Sequence, residues 1–134
     1  MVKGALVVDD QQGIRDLLSM LLQEIGYQVY VAKNGLEAVE AIRRFRPQLV
    51  FMDVRMPVMN GLDALGRIKA IVPETEVIIM TSCLSDEIVS EALEKNARYC
   101  MAKPFEVEKV RAFLRKYFQE VQEVFSQYLE EICS

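Results

Sequence analysis

Five short apolar runs alternate with five stretches of helical periodicity along this chain, and that alternation restricts its fold more than any other feature. The runs occupy Ala5 to Val8, Gln28 to Ala32, 48 to 53, Glu76 to Thr81 and Arg98 to Ala102. Segments this short and this apolar read as strands buried on both faces, while the second, more mixed and taken as shorter, reads as an edge strand. The first helix is expected from about Gln12 to Ile25, with Ile14, Leu18, Leu21, Leu22 and Ile25 on one face and Gly26 as its stop. The second starts at the Asn34-Gly35 turn and ends near Phe45, with Ala38, Val39 and Ile42 inward, before Pro47 breaks the chain. A third spans about Leu62 to Ile71. A fourth is capped by Ser85, carries Asp86 and Glu87 in its first turn, and ends at Asn96, which accepts the left-handed conformation. The last begins after Pro104. Connections of this length suit only parallel crossovers, so the spacing predicts a doubly wound α/β domain with strand order 2-1-3-4-5.

In such sheets ligands bind at the carboxyl ends of the strands, beside the point where the strand order reverses. The polar residues that need an explanation all fall on that edge. Strand one runs into Asp9-Asp10, strand three ends in Asp53, strand four in Thr81-Ser82, and strand five leads to Lys103-Pro104. A carboxylate in the register of a buried strand is costly unless it meets water, a cation or a substrate. Asp53 is the first to suspect, because Leu49-Val50-Phe51-Met52 precedes it and Pro57 and Gly61 punctuate the loop that follows. Asp9, Asp10 and Asp53 would gather up to three negative charges in one cleft, an arrangement that repels itself unless a cation is present. Carboxylates, carbonyls and waters with no His or Cys nearby favour a hard octahedral ion, with Mg²⁺ the natural occupant and Mn²⁺ the substitute. Mg²⁺, the Lys103 ammonium, the Thr81 hydroxyl and free backbone N–H groups converging on one carboxylate are the parts that stabilise a transferring phosphoryl group. Asp53 would be the nucleophile and form an aspartyl phosphate.

Taken singly, each residue has a plainer reading. Asp53 could merely start a loop, Asp9 and Asp10 could cap a helix, Thr81 could be a strand-end threonine, Lys103 a solvated base, and Pro57 and Gly61 turn residues. Joint placement at four strand ends is what favours function. Two other chemistries fit less well. An aspartyl-nucleophile phosphatase would want a second Asp two residues past the nucleophile, where Arg55 stands, and a nucleotide or flavin carrier would want a glycine-rich first turn in place of Asp9-Asp10-Gln11-Gln12-Gly13.

At 134 residues and 51% hydrophobic, the chain has enough apolar material for one ordinary domain with a real core. The apolar segment at Ala5 to Val8 is too short for a signal peptide or a membrane span, so a cytoplasmic location is expected. Cys83, Cys100 and Cys133 are odd in number and lack C-x-x-C spacing, which suggests structural thiols. Net charge is −4: residues 1 to 117 balance 16 bases against 16 acids, while 118 to 134 carry Glu120, Glu123, Glu130 and Glu131 and no base. That acidic tail argues against a nucleic-acid partner.

The motifs VVDD (7 to 10), MDVRMPVMNG (52 to 61), MTS (80 to 82) and KPF (103 to 105) resemble those of response-regulator receiver domains, over residues 3 to about 118. The resemblance implies a flavodoxin-like fold and a phosphoryl group accepted on Asp53 from a phosphohistidine of a partner kinase or phosphotransferase. It implies Mg²⁺ held by Asp10, Asp53 and the Arg55 carbonyl, with Asp9 acting through water. Thr81 and the Ser82 N–H would hold phosphoryl oxygens, Lys103 would pair with their charge, and a population shift would repack helix four, strand five and helix five. Such a domain is a signalling switch that catalyses its own phosphoryl transfer and dephosphorylation. DDQxGIR (Asp9 to Arg15) and KPFEVEKV (103 to 110) are further similar to the single-domain phosphorelay intermediates of bacterial sporulation, in which Gln12-Gly13-Ile14, Leu17 and Leu18 would suit docking on a helical bundle. Against this stands a phosphate-independent dimerisation or interaction module.

Two positions depart from the receiver pattern. Three residues before the lysine, where an aromatic or His switch is usual, stands Cys100, with Tyr99 facing the other side of its strand; and Asn96-Ala97 replaces the common Gly-Ala. The tail is also unusual. Val110, Leu114, Tyr117, Val121, Val124 and Tyr128 step by four and three, and Phe118, Phe125, Leu129 and Ile132 add a second stripe. The last helix is therefore expected to continue to about Ile132, giving a receiver over 1–118 and a helical extension over 119–134. That extension would fold back on its own domain, bind a second copy or a downstream protein, or once have led into an output domain.

Overall fold

The computed structural model describes residues 3–103 and 106–133, without the side chains of 121–125, 128 and 133; Pro104 and Phe105 of the KPF motif lie outside the described residues. The apolar runs form β1 (Gly4–Val8), β2 (Gln28–Ala32), β3 (Leu49–Asp53), β4 (Glu76–Thr81) and β5 (Tyr99–Ala102). Between and after them lie α1 (Gln12–Glu24), α2 (Gly35–Phe45), α3 (Gly61–Ile71), α4 (Asp86–Glu94) and α5 (Val107–Cys133). All strands are parallel, in the order β2-β1-β3-β4-β5. Val8 lies opposite Met52, Asp53 opposite Met80, and Thr81 opposite Ala102, so four carboxyl ends come level at one edge.

Alternation along the strands divides the core. Leu6, Val8, Val50, Met52, Val77 and Ile79 join Ala38, Val39 and Ile42 of α2 and Leu65 and Ile68 of α3 in one buried cluster. The strand residues between them, Val7, Phe51 and Ile78 among others, are equally buried, and α1 supplies Leu18, Leu21 and Leu22.

Local chemistry sets the helix ends. Asn34, Asn60 and Ser85 each accept a hydrogen bond from the backbone three residues on, at 2.9, 2.9 and 3.2 Å, satisfying an N–H that the helix leaves orphaned. Gly26 (φ 98°) and Asn96 (φ 68°) take left-handed conformations after α1 and α4, as their residue types anticipate. Ile25, expected inward, is exposed. It caps α1 with φ −99° and ψ 10°, so the phase that buries Leu21 no longer governs it. β2 matches β1 at five residues and lies at the sheet edge, while β5, with four, is the shortest strand.

The chain divides into two units, Met1–Lys103 and Pro104–Ser134. In the second, α5 is one continuous helix of 27 residues, about 40 Å long at 1.5 Å per residue. Among the described residues, no helix is long and apolar enough to cross a membrane.

Candidate functional site

The strand ends bring together Asp9, Asp10, Asp53, Thr81 and Lys103. Asp9 and Asp10 follow β1 directly, Asp53 is the last residue of β3, Thr81 the last of β4, and Lys103 follows β5. One carboxylate oxygen from each of the three aspartates lies within 4.8 Å of the others. Asp9 and Asp53 are buried and Asp10 is exposed, so the cluster opens to water on the Asp10 side.

Several segments hold Asp9. Its backbone N–H donates to the Ala32 carbonyl (3.1 Å), its Oδ1 accepts from the Gln11 N–H (2.9 Å), and its carbonyl accepts from Arg15 Nη1 (2.8 Å). Its Oδ2 pairs with Lys103 Nζ, which also stands 3.3 Å from Asp53 Oδ2. Lys103 is anchored by its own backbone N–H, which donates to the Thr81 carbonyl at 2.8 Å. A single ammonium thus serves two buried carboxylates, with a third beside them. Burial pushes the Asp53 carboxyl above the usual carboxylate range; the Asp9 charge adds to the rise, Lys103 opposes it, and Asp10 adds a further push. The site is short of positive charge.

Oxygen donors alone, in a pocket deficient in positive charge, fit a hard divalent cation such as Mg²⁺. Thr81 is buried, and its Oγ accepts from the Cys83 N–H at 3.1 Å, so the hydroxyl braces the β4–α4 turn. Ser82 next to it is exposed, as is Arg55, two residues past Asp53.

The loop after β3 shows what sequence reasoning missed. Gly61 looked like turn punctuation, yet a Cβ there would sit 2.0 Å from the Asp53 carbonyl oxygen and 2.9 Å from its carbon. With the Gly61 N–H donating to the Val54 carbonyl at 2.8 Å, α3 starts directly against the backbone of Asp53. Val58, in the same loop, has φ 72°, a left-handed conformation that a β-branched residue adopts only under strain. The Arg15 contact with Asp9 also escaped notice, because it is made to a main-chain carbonyl and leaves no pattern in the sequence. Cys100 packs against the core cluster, and burial raises its thiol pKa; Tyr99 instead lies under the Arg98 guanidinium, 5.3 Å from its ring centre.

The model of the response regulator receiver domain family matches residues 5–115. Over 112 residues the chain is 40% identical to the sporulation initiation phosphotransferase F of Bacillus subtilis, covering 84% of this chain and 90% of that protein. It is 37% identical over 117 residues to the chemotaxis protein CheY of Thermotoga maritima, covering 87% and 98%. Among solved structures, the CheX-CheY-BeF3-Mg²⁺ complex from Borrelia burgdorferi matches with a TM-score of 0.78 at 26% identity, covering 92% of this chain and 89% of that one. With the family match spanning the sheet and every strand end described above, this chain belongs to the response-regulator receiver family.

Proposed function

We propose that Asp53 accepts a phosphoryl group from a phosphohistidine of a partner histidine kinase or phosphotransferase. The observation that carries this reading is the convergence of three carboxylates and Lys103 on one strand edge, with Asp53 at its centre. An Asp53 oxygen attacks phosphorus, the O–P bond forms as the N–P bond breaks, and the partner imidazole leaves with the electron pair. Lys103 is within reach of the growing negative charge, and moving from Asp9 toward the phosphoryl oxygens would keep it neutralised throughout. The Thr81 hydroxyl and the Ser82 N–H donate to phosphoryl oxygens; Thr81 Oγ accepts from the Cys83 N–H and keeps its own proton for that bond. The Asp10 and Asp53 carboxylates and the Arg55 carbonyl would hold Mg²⁺, with Asp9 acting through water. When bound, the ion neutralises charge on the phosphoryl oxygens. A related CheY has been seen with BeF3 and Mg²⁺, which supports the assignment. Hydrolysis of the acyl phosphate at the same site resets the switch.

Signalling then proceeds by protein contact, as a phosphorelay intermediate that returns the group to a second histidine protein. The likeness to the sporulation phosphotransferase over 90% of that protein's length supports this. A cytoplasmic location belongs to the same reading. Residues 1–118 are the receiver and 119–134 an association surface, for a second copy or a downstream protein. Phosphoramidate, which presents the same N–P bond, tests the chemistry. Labelling of wild type and not of Asp53→Asn supports it, as does passage of the label to a histidine phosphotransfer domain. No labelling where a control receiver is labelled would favour a phosphate-independent interaction module.

A further inference from the structure

Past residue 115, where the family match ends, α5 runs on to Cys133. Nothing in the strand-edge chemistry uses this segment. Its sequence carries a repeat of its own: Phe118, Val121, Phe125, Tyr128 and Ile132 are spaced three, four, three and four, the pattern of a helix that packs lengthwise on another helix. By the same spacing, Glu120, Glu123 and Glu130 take positions away from this seam. Beside it Leu129 is 44% exposed, and Ile132 within it is 60% exposed, large apolar side chains presented to water at the end of one unbroken helix.

We propose that this seam pairs with the same seam of a second copy of the chain, with the two helices antiparallel. Charge favours this occupant and this direction. Residues 107–117 carry four bases, Lys109, Arg111, Arg115 and Lys116, against Glu108, a net of +3; residues 118–134 carry four glutamates and no base, a net of −4. A helix polarised in this way is complementary to its own reversed copy, whereas parallel pairing would set four glutamates beside four. This deepens the association role proposed for residues 119–134 and stands apart from the phosphoryl chemistry.

Sedimentation equilibrium of the full unphosphorylated chain across micromolar concentrations tests the pairing. The expected mass is twice the 15.4 kDa of one chain. Phe125→Glu and Ile132→Glu should each weaken dimerisation by roughly tenfold or more, about 1.4 kcal/mol per decade. Both variants should still be labelled by acetyl phosphate, which shows the receiver intact and separates failure of the pairing from failure of the chemistry. Mild oxidation and peptide mapping read the direction, because parallel helices would bring the two Cys133 residues together. No Cys133–Cys133 disulfide is expected in the dimer. A monomer at every concentration, or association unchanged in both variants, would overturn the pairing, and a Cys133-linked dimer would overturn its direction.

Discussion

Replacing Asp53 by Asn should make the protein more stable when no divalent cation is present. Carboxylate oxygens of Asp9 and Asp53 lie within 4.8 Å, and at an effective dielectric near 20 like charges at that limit repel by about 3.5 kcal/mol, which sets the scale of the Asp9 contribution. Asp10 is exposed and acts through a water-like medium, so its share is about 1 kcal/mol. Lys103, at 3.3 Å, would return about 5 kcal/mol if it served Asp53 alone, but Asp9 is its closer partner. These pairwise contributions nearly cancel. Desolvation of the buried carboxylate therefore sets the sign, and it is also the largest cause of the raised Asp53 pKa. Full burial of an ion costs several kcal/mol, and this cluster opens to water on the Asp10 side, so the gain for Asn is on the order of 2 kcal/mol, raising Tm by roughly 6–10 °C in a chain of this size. The pH dependence has a fixed sign. Because the native Asp53 pKa exceeds the unfolded value, the unfolded state loses this proton first, and wild type loses stability as pH rises from the ordinary carboxylate range to the native pKa. The variant lacks that loss, so the gap between the two widens across that window and then stays constant. Thermal melts in EDTA at several pH values measure this, and Mg²⁺ should restore wild type far more than the variant, by about 2.7 kcal/mol at a hundredfold excess over Kd. A variant that melts at or below wild type in EDTA at neutral pH would refute the charge argument.

Other perturbations probe the elements around the cluster. Lys103→Ala leaves two buried carboxylates without their cation and should cost about 3–5 kcal/mol in urea denaturation, partly recovered with Mg²⁺. Gly61→Ala drives a Cβ into the backbone of Asp53, so a loss of about 2–4 kcal/mol and slower phosphorylation are expected, from denaturant midpoints and labelling rates. Val58→Asn relieves a left-handed β-branched residue and should raise stability by about 1 kcal/mol, read as a higher midpoint at unchanged m.

How far the sequence reached depended on the kind of signal each feature leaves. The five runs and their order were readable because a parallel sheet buried on both faces forces continuous apolar segments, and Asn34, Ser85 and Asn96 announce helix ends by residue type. The strand-edge cluster was readable because a polar residue directly after a buried strand is improbable without a use for it. Ile25 was misplaced because periodicity cannot see where the backbone leaves the helix. The hold of Arg15 on Asp9 and the approach of Gly61 to Asp53 involve main-chain atoms, which every residue has and no side-chain pattern marks. The division of Lys103 between Asp9 and Asp53 is a matter of distances, fixed only when β1, β3 and β5 are aligned.

The central claim is that Asp53 is the phosphoacceptor, and intact-protein mass spectrometry after incubation with Mg²⁺ and acetyl phosphate tests it most directly. The account predicts a gain of one acid-labile phosphoryl group in wild type, none in Asp53→Asn, and none in wild type when EDTA replaces Mg²⁺. Equal labelling of wild type and Asp53→Asn, or no labelling of wild type beside a labelled control receiver, would contradict it.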